Sequence, residues 1–273
     1  MQDIDIKNIE IELLLKAIYL KYSYDFRGYA KASIKRRIEH RQMLSNLATI
    51  SDMQKKLLYD DDFFALLLND MSINVTEMFR DPEFYRALKA VIVSRFDKKD
   101  SIKIWHAGCA TGEEVYSMAI LLKEASLYDK SFIHATDFDE NVLDRARQGI
   151  YPVEKIKVFT KNYKDAGGLE SFSDYYKAKY DFAKLEKNLK KNLHFSSHNL
   201  VTDSVFGEMD MIVCRNVLIY FSKELQDRVF KLFYDSLTKD GLLCLGSKET
   251  ITLSKYSKLF VKKNAQQRIY QKV

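Results

Sequence analysis

The stretch that decides the fold is IWHAGCATGEE, residues 104–114. Apolar residues typical of a buried strand lead into Gly108 and Gly112, and a helix is predicted to start near Glu113. Glycines at such a turn let the backbone approach a ligand closely and adopt positive φ. The stretch therefore predicts a strand, a ligand-binding loop and a helix in direct succession.

The spacing of the glycines bears on the kind of ligand. A dinucleotide fingerprint needs G-x-G-x-x-G, whereas this loop is G-x-x-x-G without a third glycine. Glu113 and Glu114 at the start of the helix would repel a pyrophosphate. The sulfonium and amino groups of S-adenosylmethionine tolerate nearby carboxylates, so the loop favours this cofactor over a dinucleotide.

Short apolar strands alternate with amphipathic helices around this loop. The predicted strands are SIKIWHA, SFIHATD, MDMIVCR and GLLCLG, and the predicted helices are PEFYRALKAVIVSRF, GEEVYSMAILLKEA, ENVLDRARQGI and about 223–237. This alternation indicates a parallel sheet wrapped by helices. Asp81 is predicted to be the N-cap of the first of these helices, with Pro82 in its first turn. The C-terminal residues are predicted to form two strands joined by a turn around Lys263 and Asn264.

The first 71 residues lack the alternation and are predicted to be helical. Apolar residues recur at helical spacing in IEIELLLKAIYLKYSY and in SDMQKKLLYDDDFFALLLNDM. Between them lies YAKASIKRRIEHRQML, a basic helix in which Glu39 is the only acidic residue. Helical spacing puts Arg37 and Arg41 on one face, one turn apart. We therefore expect a helical domain over residues 1–71 and an α/β domain over 72–273.

One segment departs from the alternation, from about Pro152 to Leu193. It is rich in lysine and tyrosine and contains Gly167 and Gly168. We predict an insertion over about 152–195 that forms a small antiparallel unit.

Composition limits the cellular setting and the chemistry. No apolar run approaches the ~20 residues that span a bilayer, and the first residues do not resemble a signal peptide, so a cytoplasmic protein without membrane insertion is expected. Cys109, Cys214 and Cys244 lie far apart without a CxxC pair, so they are predicted to be buried apolar residues rather than metal ligands. The net charge of +6 favours acidic partners without choosing among them.

Polar residues follow several of the predicted strands, where open α/β sheets bind ligands. Asp137 can accept hydrogen bonds from both ribose hydroxyls, whereas Asp139 is either a second such acceptor or the N-cap of the next helix. Asn199 can read the adenine edge. Arg215 and Asn216 follow another strand, although Asn216 could instead cap the helix after it.

Four motifs in this order resemble those of the CheR family of chemotaxis receptor methyltransferases: NVTEMFRDPEFY (74–85), AGCATGEEVYS (107–117), ATDFDENVL (135–143) and CRNVLIYF (214–221). The likeness covers nearly the whole chain and implies a Rossmann-like S-adenosylmethionine methyltransferase domain with a mixed seven-stranded sheet. A small all-helical domain would precede it, and a small antiparallel β insertion would interrupt it. Met78, His106, Val115 and GSKE (246–249) depart from the usual family residues.

The resemblance also implies roles for particular residues. Cofactor-binding residues are expected at Asn74, Thr76, Arg80, Ala107, Gly108, Glu114, Asp137, Asn199, Leu200, Arg215 and Asn216. Arg80 and Tyr220 are expected to be catalytic, on opposite sides of the transferred methyl group. The expected substrate-binding residues are Lys35, Arg36, Arg37 and Arg41, with a solvated basic helix as the alternative.

The implied reaction is the methylation of glutamate side chains on methyl-accepting chemotaxis receptors, with S-adenosylhomocysteine as the other product. A glutamate with a pKa near ~4.3 is already ionised at neutral pH, so no general base and no metal are needed. The expected partner is the cytoplasmic helical bundle of a receptor, bound by a monomer and without nucleic acid. The alternatives are a nucleic-acid methyltransferase, which the residues beside the fourth strand do not favour, and a non-catalytic S-adenosylmethionine-binding scaffold.

Overall fold

The computed structural model describes residues 5–71 and 76–273. They divide into two compact units. The helical unit holds the described part of Met1–Ile73 together with Tyr220–Arg228, and the sheet unit holds the described part of Asn74–Ile219 with Val229–Val273.

The α-helices of the described residues are α1 Ile6–Tyr22, α2 Lys31–Leu44, α3 Ile50–Tyr59, α4 Asp61–Met71, α5 Pro82–Phe96, α6 Glu113–Glu124, α7 Glu140–Gln148, α8 Val153–Asp165 and α9 Lys223–Ser236. The strands are β1 Ile102–Ala107, β2 Ser131–Asp137, β3 Ile150–Pro152, β4 Tyr176–Lys179, β5 Phe182–Leu185, β6 Leu193–Ser197, β7 Met209–Cys214, β8 Leu237–Leu245, β9 Phe260–Asn264 and β10 Ile269–Lys272. None of these helices is both long and apolar enough to cross a membrane.

The helical unit is built from α1 to α4, whose apolar faces meet in a common core. Leu14 and Ile18 of α1 and Leu57 of α3 are fully buried there. The sequence predicted one helical stretch over 51–71, but the chain breaks it at Asp60. The backbone of Asp60 is extended, and its carboxylate accepts a hydrogen bond from the Phe63 amide at 3.0 Å, so Asp60 caps α4.

The segment that begins at Tyr220 joins the helical unit through backbone pairing. Tyr29 and Phe221 form an antiparallel bridge, and the Ala30 amide donates to the Tyr220 carbonyl at 2.8 Å. Gly28 lies so close to Leu225 that an added Cβ would come within 3.0 Å of its side chain. The chain therefore contributes a late segment to the unit formed by its first residues.

The sheet unit contains a seven-stranded mixed sheet in the order β6-β2-β1-β7-β8-β10-β9. Neighbours from β6 to β8 are parallel, whereas β10 runs antiparallel to β8 and β9. All six residues of β7 are buried, as expected for a central parallel strand covered on both faces. The predicted mixed sheet is thus confirmed, as are the buried, free states of the three cysteines.

The C-terminal hairpin turns slightly later than the sequence predicted. Lys263 and Asn264 still belong to β9, and the turn follows them. The side-chain oxygen of Asn264 accepts a hydrogen bond from the Gln267 amide at 3.0 Å and so shapes this turn.

The insertion forms a three-stranded antiparallel sheet in the order β3-β5-β4, with α8 between β3 and β4. The predicted antiparallel unit is confirmed, although its first strand starts at Ile150. Residues from Leu193 onward belong to the main sheet, because β6 pairs in parallel with β2. Gly168 is required where the chain passes Tyr163, since an added Cβ would clash with the aromatic ring.

Candidate cofactor site

The glycine loop between β1 and α6 has a backbone that other residues could not easily adopt. Gly108 and Gly112 have φ of 77° and 88°. The amides of Gly108 and Cys109 both donate to the Thr136 carbonyl, at 2.8 and 2.9 Å, so the loop bends toward β2. A Cβ on Gly108 would lie 2.6 Å from a Val217 methyl group, because the loop after β7 packs directly against it.

Asp137 ends β2 beside this loop. One carboxylate oxygen accepts the Ala110 amide at 2.9 Å, and the other accepts the Asp139 amide at 3.2 Å. Burial raises the pKa of Asp137 to about 6, although these amide donors oppose the shift. The Asp139 side chain accepts the Asn141 amide at 3.0 Å, which confirms Asp139 as the N-cap of α7.

Arg215, which follows β7, is the buried centre of a cluster of charges. Its guanidinium donates to Glu114 and to Asp81, each at 2.7 Å, and its side chain is 1% exposed. Burial alone would raise the pKa of Glu114, but the charge of Arg215 and the hydrogen bond from His106 outweigh it and hold that pKa below its usual range. Two carboxylates around one guanidinium leave a net negative charge that suits a cationic ligand group.

Asp81 therefore has a different role from the predicted N-cap. It occupies the position before α5, but its φ is 57° and its side chain makes no capping hydrogen bond. A charge-assisted bond to a buried guanidinium is stronger than a bond to a main-chain amide, so the Asp81 carboxylate pairs with Arg215 instead of capping the helix. Phe79 also has a positive φ, so two strained residues flank Arg80.

The polar atoms left in this cluster fit the amino-acid portion of S-adenosylmethionine. Arg215 Nε and His106 Nε2 are buried, and the described residues offer them no hydrogen-bond partner. A buried donor of this kind normally has an acceptor, which a ligand carboxylate would provide. The cluster can thus take both charges of a zwitterion: its unpaired donor takes the carboxylate, and its excess negative charge takes the ammonium group.

Glu113 does not belong to this cluster, although it precedes Glu114 at the start of the same helix. Its side chain is buried, accepts a hydrogen bond from the Thr111 hydroxyl at 2.6 Å and lies 3.5 Å from Lys155. Burial raises the pKa of Glu113. The second carboxylate near Glu114 is Asp81, which is distant in sequence.

Asn199 and Leu200 follow β6 and lie near the chain around Asp137. The amide of the preceding residue, His198, donates to the Asp137 carbonyl at 3.1 Å. The Asn199 side-chain oxygen accepts the Val201 amide at 2.9 Å, so the amide nitrogen is the group that it can offer to an adenine acceptor. Leu200 is buried, and an adenine contact for it stays a prediction.

The insertion supports two of the loops that surround this site. Asn162 of α8 donates to the Glu77 carboxylate and to the Met78 carbonyl, both at 3.1 Å. The Tyr151 hydroxyl donates to the carbonyl of Thr111 in the glycine loop at 2.8 Å. Sequence patterns did not reveal this support, because the partners lie up to 85 positions apart.

The remaining predicted site residues are divided between the sheet unit, the helical unit and the part of the chain that is not described. Thr76 and Arg80 are half-buried near the start of the sheet unit, and the Arg80 carbonyl accepts from Arg215 at 3.5 Å. Asn74 falls outside the described residues. Tyr220 belongs to the helical unit.

The basic helix α2 uses two of its arginines inside the helical unit. Arg37 and Arg41 share one face, as their spacing predicts, but this face packs inward. Arg37 is 7% exposed, donates to the carbonyls of Asp70 and Met71, and lies with its guanidinium 4.9 Å from the centre of the Tyr220 ring. Arg41 pairs with the Asp70 carboxylate at 2.9 Å. These charges are used inside the helical unit, and direct substrate contact by either residue stays a prediction.

A cavity of about 620 Å³ lies between α1, the following segment and α2. Its apolar lining includes Ile11, Phe26 and Ile34. Cationic residues at its walls are Lys16, Arg27, Lys31 and Lys35, and Glu12 is the acidic one. This helical unit therefore offers an apolar recess surrounded by positive charge.

Comparison with known proteins agrees with this geometry. The profile of the CheR methyltransferase S-adenosylmethionine-binding domain matches residues 74–269, and that of the CheR all-alpha domain matches residues 9–72. The Cher3 protein of Pseudomonas putida is 49% identical over 97% of both chains. A chemotaxis protein methyltransferase of Listeria innocua is 30% identical, over 83% of this chain and 84% of its own length. Chemotaxis protein methyltransferase 2 of Pseudomonas aeruginosa is 31% identical, over 78% of this chain and 76% of its own length. With the two profiles covering consecutive stretches and the cofactor loops arranged as described, the chain belongs to the CheR methyltransferase family, and its cofactor is S-adenosylmethionine.

Proposed function

We propose that this protein methylates specific glutamate side chains on methyl-accepting chemotaxis receptors and so forms glutamate methyl esters for sensory adaptation. The observation that carries the proposal is the buried Arg215 guanidinium between the carboxylates of Glu114 and Asp81, together with Asp137 at the glycine loop. The chain also belongs to a family whose relatives include named chemotaxis protein methyltransferases. In this proposal residues 1–71 recognise the receptor, residues 72–273 bind the cofactor and transfer the methyl group, and the protein acts in the cytoplasm as a monomer.

The chemistry of a carboxylate acceptor fits the residues at the site. S-adenosylmethionine supplies an electrophilic methyl group, and an ionised glutamate can attack it without a general base. The protein then has to hold the two reactants in line and exclude water. Asp137 and the cluster around Arg215 hold the cofactor, Arg80 orients the acceptor carboxylate, and Tyr220 contacts the reacting centre.

Acceptor recognition is assigned to the helical unit. Arg36 of α2 is exposed and Lys35 is half-exposed, whereas the only acidic residue of this helix, Glu39, already pairs with Lys7 at 2.8 Å. The cationic walls of the neighbouring cavity add to the positive charge. This surface suits an acidic, amphipathic helix, which is the chemistry expected of a receptor methylation segment.

The deciding experiment is transfer of a labelled methyl group from S-adenosylmethionine to a purified receptor cytoplasmic fragment, followed by mild base. Base-labile label on the fragment supports a carboxyl methyl ester. Label in nucleic acid would contradict the proposal in favour of a nucleic-acid methyltransferase. Tight cofactor binding without label on any acceptor would favour a non-catalytic scaffold.

A further inference from the structure

Two loops at the carboxyl ends of neighbouring parallel strands are joined by one buried carboxylate. Strands β7 and β8 pair in parallel, with Cys214 beside Leu245 at their ends. The chain continues from β7 into Arg215–Leu218 and from β8 into Gly246–Glu249. Glu249 is 4% exposed, and its carboxylate lies between these loops.

Four main-chain amides hold this carboxylate. One oxygen accepts from Val217 at 2.9 Å and Leu218 at 2.8 Å, and the other accepts from Asn216 at 3.0 Å and Gly246 at 2.6 Å. Three consecutive amides that converge on one anion form a nest, the arrangement by which loops bind phosphate and other anions. Within the described residues, no lysine, arginine or histidine forms an ion pair with Glu249.

The loops are shaped for this contact. Asn216 has a φ of 61°, which turns its amide and the two that follow toward the carboxylate. A Cβ on Gly246 would lie 2.7 Å from the Glu249 carboxylate and 2.8 Å from the Asn216 amide nitrogen, so only glycine permits this approach. The carboxylate therefore sets the conformation of the loop that follows β7.

That loop contributes directly to the cofactor site. Arg215, which holds Glu114 and Asp81, immediately precedes the clamped amides. Val217, one of the clamped residues, packs on Gly108 of the glycine loop. We propose that Glu249 is a positioning residue. It fixes the loop after β7 so that Arg215 reaches Glu114 and Asp81 and Val217 packs on Gly108.

Glu249→Gln tests this role, because the amide nitrogen of glutamine would face main-chain N–H donors and two of the four hydrogen bonds would be lost. We expect the dissociation constant for S-adenosylmethionine, measured by calorimetry, to rise at least tenfold. The amides of Asn216, Val217, Leu218 and Gly246 should also lose protection from hydrogen exchange. The measurement needs no methyl acceptor, so its outcome is independent of the receptor substrate proposed above.

A control separates positioning from simple loss of stability. Ile92→Val in the buried core of α5 should lower the melting temperature without changing the dissociation constant. The proposal would be overturned if the four amides of Glu249→Gln exchanged rapidly while its dissociation constant for S-adenosylmethionine stayed within twofold of the parental value. If Glu249→Gln does not fold, the same dissociation constant is measured for Gly246→Ala and Glu249→Asp. Weaker binding in both folded variants supports the role, and parental binding in either one overturns it.

Discussion

Asp137 shows how a single buried carboxylate can make cofactor binding depend on pH. Its pKa is raised to about 6, mainly by burial, so the unliganded protein takes up a proton there as the pH falls below 6. We propose that Asp137 accepts hydrogen bonds from the ribose hydroxyls, and an ionised carboxylate is the stronger acceptor for them. Protonation therefore competes with cofactor binding within an accessible pH range.

We predict that the affinity for S-adenosylmethionine falls roughly tenfold for each pH unit below 6. In Asp137→Asn this pH dependence should disappear, with weaker binding at pH 8 than in the parent. Calorimetric titrations from pH 5 to 8 measure both effects. Asp144→Asn, which changes an exposed carboxylate of α7, is the matched control and should keep the parental profile. If the affinity of Asp137→Asn fell with pH as steeply as that of the parent, the proton that competes with the cofactor would belong to another group.

Asp81 allows a test between capping and charge pairing. Serine caps helices as well as aspartate but cannot neutralise Arg215. We predict that Asp81→Ser weakens S-adenosylmethionine binding about tenfold, an order of magnitude expected for one lost charge-assisted hydrogen bond. Asp139→Ser, at the true N-cap of α7, should bind like the parent. Parental binding by Asp81→Ser, with weaker binding by Asp81→Ala, would favour a capping role instead.

Among the elements, α8 shows that the insertion supports the cofactor site from within the same unit. Asn162 holds the segment that leads into α5 through two hydrogen bonds. Removing them should loosen this segment without unfolding the sheet, because the main sheet makes none of these contacts.

We therefore predict that Asn162→Ala speeds hydrogen exchange over residues 76–80. It should weaken cofactor binding by roughly three- to tenfold, as expected if about 1 kcal/mol of the support from the two hydrogen bonds reaches the cofactor. Exchange followed by mass spectrometry and calorimetry measure the two effects. The neighbouring exposed residue provides a control, since Lys161→Ala should change neither. Faster exchange without weaker binding would show that the support of this segment does not reach the cofactor.

On the scale of the whole molecule, the net charge of +6 favours an acidic partner, but its distribution decides where such a partner binds. Charges that are paired inside the helical unit, such as those of Arg37 and Arg41, cannot attract a partner as strongly as solvated ones. The exposed part of α2 is therefore the surface to test.

We predict that the double charge reversal Lys35→Glu/Arg36→Glu raises the KM for a receptor fragment at least tenfold at low salt. The effect should shrink as salt screens the surface charges. Lys262→Glu/Lys263→Glu on β9 makes the same change in net charge at another exposed pair. The control should leave KM near the parental value, and neither variant should alter the dissociation constant for S-adenosylmethionine. Equal effects of both double variants would point to overall charge rather than to α2.

Local patterns in the sequence were sufficient to predict most helices and strands and the positions of several site residues. The glycine loop, Asp137 and the N-cap at Asp139 each stand at the end of a strand or the start of a helix, so residue type and spacing predict their positions. The contact between Asp137 and the Ala110 amide, 27 positions away, was not part of that prediction. The alternation of strands and helices predicted the parallel part of the sheet for the same reason. The mixed sheet of seven strands and the remaining site residues were expected from family motifs, and most of their contacts to the cofactor stay predictions.

Only the tertiary structure decided which side chains meet across distant elements. Arg215 joins Asp81 across 134 positions, Arg37 bonds to the carbonyls at the end of α4, and Glu249 clamps the loop after β7. Periodicity shows which face of an element is apolar, but not which element covers that face. A buried charge or amide takes its partner from whichever chain segment folding brings near, and this depends on the packing of the whole unit.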